Sequence, residues 1–265
     1  ISSDLDVLRS SLYSNLMIGA KKNIHRNFED LMLFEIGPVF KGSKPGEQLT
    51  MINAIKTGKY SRKNWIEKER SFDVFDIKND ALRTLNEIGL NNLKIVVSNR
   101  TKKWYHPGRS GLLSLGSTNG PELAYFGEIH PSIIKKLDLR TDNVLGFEVF
   151  LDNIPESRKK IREVKPQFIV SDYQKVVRDF AFVIDEKYKS SEIVNLVQNV
   201  DKELIKNVKI FDVYQGGNID SGKKSIAFSV TLEPKDKTLG ENDIDQMCKK
   251  IISTVQESTG ATLRS

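Results

Sequence analysis

The stretch KIFDVYQGGNIDSGKKSIAFSVTL, residues 209–232, decides the fold of the second half of this chain. Two arms alternate apolar and polar residues around a glycine-rich turn, the pattern of a β-hairpin that covers a core with one face. The first arm ends in Asp212, Tyr214 and Gln215, an acid, a phenol and an amide at the open end of a strand. In simple alternation Val208, Ile210 and Asp212 lie on one side and Lys209, Phe211 and Val213 on the other, so Asp212 and Tyr214 share a side.

Outward from the hairpin, VVRDFAFVID reads as a strand and SSEIVNLVQNV as a helix capped by Ser190 or Ser191. Beyond it, ENDIDQMCKKIISTVQES reads as a helix and ATLR as a short strand. The order β-α-β-β-α-β is the split βαβ, ferredoxin-like arrangement, expected over residues 169–265. One face of such a sheet packs on two helices and the other is free, and RNA-binding modules stack bases on aromatics displayed there. A flat phenol beside a carboxylate can stack a base and accept from its exocyclic amine. The residues alone leave a second reading equally open, in which Asp212 caps the turn and Tyr214 packs on its edge.

Upstream, the charged run ESRKKIREVKPQ (156–167) reads as a connection. The expected domains are therefore 1–155 and 169–265, joined by a linker at 156–168. In the first, Leu5, Leu8, Leu12, Leu16 and Ala20 recur at helical spacing, with Asp4 and Asp6 placed to favour a helix N-terminus. MLFEIGPVF, MINAIKTG, LKIVVSN, GLLSLGS, LAYFGEI and LGFEVFLD read as strands. A helix is expected over Asp76–Ile88, stopped by Gly89, and a short one in HPSIIKKLDL with Pro131 at its first position. Helices mixed with antiparallel-looking strands predict an α+β domain with one main sheet.

Bulk properties narrow the chemistry. No apolar run approaches the roughly 20 residues a membrane helix needs, and a soluble, cytoplasmic protein is expected. The chain opens at Ile1 without a basic-then-apolar leader, so a fragment of a longer chain is expected rather than a secreted precursor. The single cysteine, Cys248, excludes an internal disulfide and a thiolate zinc cluster and sits among Ile244, Met247, Ile251 and Ile252, the setting of a packed thiol. No P-loop, dinucleotide-binding glycine motif or HExxH occurs, and neither catalytic nor metal-ligating residues are expected. The net charge is +6, but residues 166–265 carry 14 Lys and Arg against 15 Asp and Glu, so an RNA site on the hairpin must rest on particular side chains. WYHPGRSG (104–111) reads as a turn opening the strand GLLSLG, with a phosphate-holding loop as the lesser alternative.

Several segments together resemble one family. LRSSLYSNLMIGAKKNIHR, LMLFEIGPVF, DVFDIKNDALRTLNEIGL, HPGRSG and FGEIHP resemble, in order, the C-terminal half of the bacterial phenylalanyl-tRNA synthetase β subunit. VVRDFAFVID, FDVYQG, GKKSIAFSVTL, Thr238-Leu239 and the closing GATLR resemble its ferredoxin-fold anticodon-binding domain, so the likeness spans essentially the whole chain.

The resemblance implies a class II synthetase-like sheet over residues 1–155 that has lost its active site and supports a catalytic α subunit in an α2β2 heterotetramer. The whole enzyme would couple phenylalanine to tRNA(Phe) with ATP and Mg2+. LFEIGPVF lacks the motif arginine such catalysis requires, so no ATP site is expected in this chain, and alone it should neither aminoacylate nor edit. Carried over by motif, the anticodon-binding residues would be Asp212 for the base edge, Tyr214 for stacking, Ser225 for a polar contact and Arg178 for phosphate or base. Any part played by Lys223 should be salt-dependent attraction for phosphate. The alternative outside that family is a general RNA-binding module with a ferredoxin-like reader. An autonomous ATP-using enzyme is a third reading, which would require ATP binding by the chain alone.

Overall fold

A computed structural model describes residues 7–90, 95–155, 171–217 and 219–264. The chain divides into two compact units, Ile1–Glu163 and Val164–Ser265. Asp4, Leu5 and Asp6, and the whole of the expected linker at 156–168, lie outside the described residues.

In the first unit six antiparallel strands form one sheet: β1 (Leu31–Phe40), β2 (Gln48–Thr57), β5 (Ile95–Ser98), β6 (Tyr105–Leu115), β7 (Glu122–Ile129) and β8 (Leu145–Phe150). They stand in the order β1-β2-β8-β7-β6-β5. Helix α1 (Tyr13–Ile24) packs Tyr13, Leu16, Met17 and Ala20 on one face, with Leu112 and Tyr125. Helix α2 (Val74–Leu85) packs Ile77, Ala81 and Leu85 on the other, with Leu113, Ala124, Phe126 and Phe147. Because both faces are covered, LAYFGEI and LGFEVF are nearly continuous apolar runs instead of alternating ones. A short ribbon, β3 (Lys59–Ser61) with β4 (Arg70–Ser71), follows β2, and helix α3 (Pro131–Lys136) precedes β8.

Four local expectations in the first unit are revised. Leu8 is exposed and outside the first helix, which starts at Tyr13, whose N–H is bonded to Ser11 Oγ at 3.1 Å. Helix α2 begins at Val74, two residues early, because Asp73 and Asp76 form a reciprocal capping box. Its far end widens into a π turn over Asn86–Leu90, with Gly89 at φ 105°, a conformation other residues resist. The expected turn at WYHPGRSG is a long bulge inside β6: Tyr105 pairs with Ile129 and Ser110 with Gly127, leaving residues 106–109 opposite Glu128 alone.

The second unit is a four-stranded sheet of β9 (Val176–Asp185), β10 (Ile205–Tyr214), β11 (Lys223–Leu232) and β12 (Thr262–Leu263), in the order β10-β11-β9-β12. Helices α4 (Ser190–Gln198) and α5 (Glu241–Thr259) cover one face. Phe180, Phe182, Ile184, Ile226, Phe228 and Val230 meet Ile193, Val197, Ile251 and Val255 there. Each such side chain contributes about 1.5–3 kcal/mol by leaving water. Neither serine caps α4. Lys189 is the capping residue, and its backbone N–H donates to Glu192 Oε2 at 3.0 Å. Cys248 is half-buried against this core, and burial raises its thiol pKa, which disfavours the nucleophilic thiolate. Among the described residues no helix is long and apolar enough to cross a membrane.

Candidate nucleic-acid interface

The open face of the second sheet is set by register. Ser225 pairs with Val183 and Ala227 with Ala181, alternating with the buried Ile226, Phe228, Phe182 and Phe180. These four small or medium side chains therefore floor the face that α4 and α5 leave uncovered.

Alternation in β10 does not run straight through. Ile210 pairs with Phe228, but Asp212 pairs with Ala227, so Phe211 is an extra residue in a β-bulge. The expected side shared by Val208, Ile210 and Asp212 is thus broken: Val208 and Ile210 face the core, whereas Asp212 and Tyr214 lie opposite Ala227 and Ser225 on the open face. The bulge is what brings them there, since unbroken alternation would turn both toward the helices. Phe211 and Asp212 together oppose Ala227, and Phe211 is 55% and Tyr214 46% exposed. The sequence carries a mark of this in Val208, Ile210 and Val213, whose register on the helix side steps by two and then by three, although Val213 is itself largely exposed.

The far side of the face is closed by β12. Arg264 N–H donates to Ala181 O at 2.8 Å, and its guanidinium reaches Ser225 Oγ at 3.4 Å. Ser225 is only 4% exposed, so its hydroxyl lies under its neighbours and Arg264 is the accessible partner. Three strand spacings of ~4.8 Å separate the backbones of β10 and β12, and the Arg264 side chain spans two of them to reach Ser225, the residue paired with Tyr214. Aromatic rings, a carboxylate beside them and a guanidinium over the neighbouring strand can stack, accept from and donate to an unpaired base.

Of the four residues singled out in the sequence, Asp212, Tyr214 and Ser225 come together at this end of the open face, and Arg178 does not join them. Arg178 pairs with the buried Val230, on the helix-covered side, and donates to Val177 O at 3.1 Å. It lies five residues along β11 from Ser225, about 17 Å at ~3.3 Å per residue. Phe211 and Arg264 also border this face and were not singled out in the sequence, because the bulge and the β12 pairing that place them are tertiary features. Lys223 is paired with Asp220 at 2.8 Å, which raises the lysine's pKa and neutralises its charge locally.

Several titratable groups in the first unit are held by internal contacts. Glu148 is 2% exposed beneath α1, accepts from Trp104 Nε1 at 2.9 Å, and is pushed by burial up to about 7. The neighbouring Tyr13 and Tyr105 hydroxyls are 2.6 Å apart, and burial raises both well above the usual phenol range. Arg109 of the HPGRSG segment is held bidentate by Glu128 at 2.5 and 2.9 Å, which occupies the cation a phosphate would need. His130 caps α3, its Nδ1 accepting from Ser132 N–H at 3.2 Å. Among the described residues no cluster of three or more His, Cys, Asp or Glu is arranged to hold a metal.

Comparison with known proteins gives two family matches. The phenylalanyl tRNA synthetase beta chain CLM domain matches residues 1–151, and the ferredoxin-fold anticodon binding domain matches residues 171–264. Phenylalanine–tRNA ligase beta subunits of Paramagnetospirillum magneticum and Rhodospirillum rubrum are 42% and 40% identical over 264 and 265 residues. That of Bradyrhizobium diazoefficiens is 41% identical over 271. Each alignment covers 100% of this chain and 33% of the relative, so the chain spans about a third of their length. A solved pyrrolysyl tRNA synthetase from Desulfitobacterium hafniense aligns with 54% of this chain and 47% of its own at 18% identity, with a TM-score of 0.40.

Proposed function

Because this chain belongs to the phenylalanyl-tRNA synthetase β-chain family, we propose that it serves a phenylalanine–tRNA ligase by reading the tRNA(Phe) anticodon and supporting the catalytic α subunit. The carrying observation is the open sheet face on which Tyr214 and Phe211 stand beside Asp212, across a floor of small side chains from Arg264. Tyr214 stacks a splayed anticodon base and Asp212 accepts from its edge. Arg264, bonded to Ser225, supplies the cationic contact to base or phosphate, and Ser225 acts by positioning it. Arg178, on the other face, is assigned no part in holding that base.

The α subunit docks, on this reading, along the edge strand β1. Met32, Phe34 and Ile36 form an exposed apolar row there, and Phe34 is 72% exposed. An edge strand with such a row favours a covering partner. ATP and Mg2+ belong to the whole enzyme and do not fit the sheet face under α1. A Cβ on Gly146 would meet Tyr13 Oη at 2.6 Å, and Glu148 is sealed beneath the same helix. On this reading the face under α1 is assigned no chemical step.

The test is titration of this chain with anticodon stem-loops that differ only in the three loop bases. Preference for the phenylalanine anticodon supports the proposal. Equal affinity for all loops overturns it in favour of a general RNA binder.

A further inference from the structure

The ribbon β3–β4 and its connection, residues 59–71, is unused by the reading above. Its base is braced by specific bonds. Arg62 Nε–H and Nη2–H both donate to Asp30 Oδ2, at 2.8 and 2.6 Å, and Lys59 N–H donates to Asp30 Oδ1 at 2.8 Å. The Arg70 guanidinium stacks 3.9 Å from the centre of the Tyr60 ring, which meets Phe72 edge-on at 5.6 Å. At the tip, Asn64 Oδ1 accepts from Ile66 and Glu67 N–H at 2.9 and 2.8 Å, fixing the turn. This ordered arm holds Trp65 out at 92% exposure, with Ile66 exposed beside it. Lys63 and Lys68 flank the pair without an ion-pair partner among the described residues, while Glu67 lies between them.

The arm continues the apolar row of β1. Met32 pairs in register with Lys56, whose Nζ lies 5.0 Å over the Phe72 ring, and Phe72 leads to Tyr60. Ile36, Phe34 and Met32 are exposed along β1, Tyr60 is exposed at the base of the arm beyond the buried Phe72, and Trp65 stands exposed at its tip. Tryptophan is the side chain that most often anchors a protein interface. An adjacent aliphatic side chain fits an apolar protein pocket better than a stacked base.

We infer that this arm is a clasp: Trp65 and Ile66 insert into an apolar pocket of the partner subunit that covers β1, and Lys63 and Lys68 meet carboxylates at its rim. The inference rests on the docking assigned to β1 and extends it.

The test combines hydroxyl-radical labelling of Trp65 with association measurements on this chain and the α subunit. Labelling of Trp65 should fall at least fivefold on adding α and stay unchanged on adding an anticodon stem-loop alone. Trp65→Ala should weaken association at least tenfold with unaltered thermal stability, and Lys63→Glu with Lys68→Glu should weaken it most at low salt. Full labelling of Trp65 in the assembled complex, or protection by RNA alone, overturns the clasp. Phe34→Asp separates the two levels. If it leaves association intact, the β1 docking itself fails. If it abolishes association while Trp65→Ala binds normally, only the clasp fails.

Discussion

Tyr214 is positioned by its neighbours before any ligand arrives. Its backbone pairs with Ser225, and its hydroxyl lies against Gly217, where an added Cβ would stand 2.8 Å away. Gly217 has φ 58°, a conformation that already disfavours a side chain. Tyr214→Ala should weaken anticodon stem-loop binding by roughly 1–3 kcal/mol, the usual worth of one base–aromatic stack, as read by isothermal titration. Gly217→Ala should weaken it by a smaller factor, because the phenol must shift but survives. Both variants should keep the cooperative melt of the wild type, since neither side chain belongs to the core. An unchanged affinity for folded Tyr214→Ala removes Tyr214 from the site. The chemical identity of Asp212 and Tyr214 was legible in FDVYQG, whereas the cation opposite them was not. Arg178 is near in motif but on the helix-covered face, and Arg264 is far in sequence but joined to the open face through β12.

The bulge in β10 is the element on which the proposed interface depends. Period-two alternation identified the strands, because Ile226, Phe228 and Val230 are core residues in strict register. It misplaced the end of β10, because one inserted residue reverses every later side chain. Inserting one alanine between Asp212 and Val213 should turn Tyr214 toward the helix side, and RNA affinity should then drop at least as far as in Tyr214→Ala. Deleting Phe211 removes the bulge but leaves Asp212 and Tyr214 opposite Ala227 and Ser225, so that variant should retain most of the affinity. Equal binding by the insertion variant means the facing of Tyr214 does not aim the site. Helix boundaries erred for a similar reason. Asp73 bonds to Phe75 and Asp76 N–H at 2.8 and 3.0 Å and pulls the start of α2 forward, and α4 takes its cap from a backbone N–H and Glu192 instead of a serine.

At the scale of the whole molecule, the two units respond to different variables. The first carries a pH term through Glu148, whose carboxyl is raised from 4.5 to about 7 by burial. The folded state then holds a proton that the unfolded chain has lost, so stability falls as pH rises from about 4.5 to 7, by up to about 3 kcal/mol. Glu148→Gln keeps an acceptor for Trp104 and should flatten this dependence and raise the melting temperature at pH 8, as followed by circular dichroism. A steeper or unchanged profile contradicts the assignment. The second unit is near neutral in charge, so its RNA binding should depend less on salt than on loop sequence. The most direct measurement is mass-spectrometric mapping of ultraviolet crosslinks between this chain and a tRNA(Phe) anticodon stem-loop. Crosslinks at Tyr214 or Phe211, lost when the loop bases are exchanged, are the expected result. Crosslinks confined to the helix-covered side around Arg178, with none on the open face, contradict it.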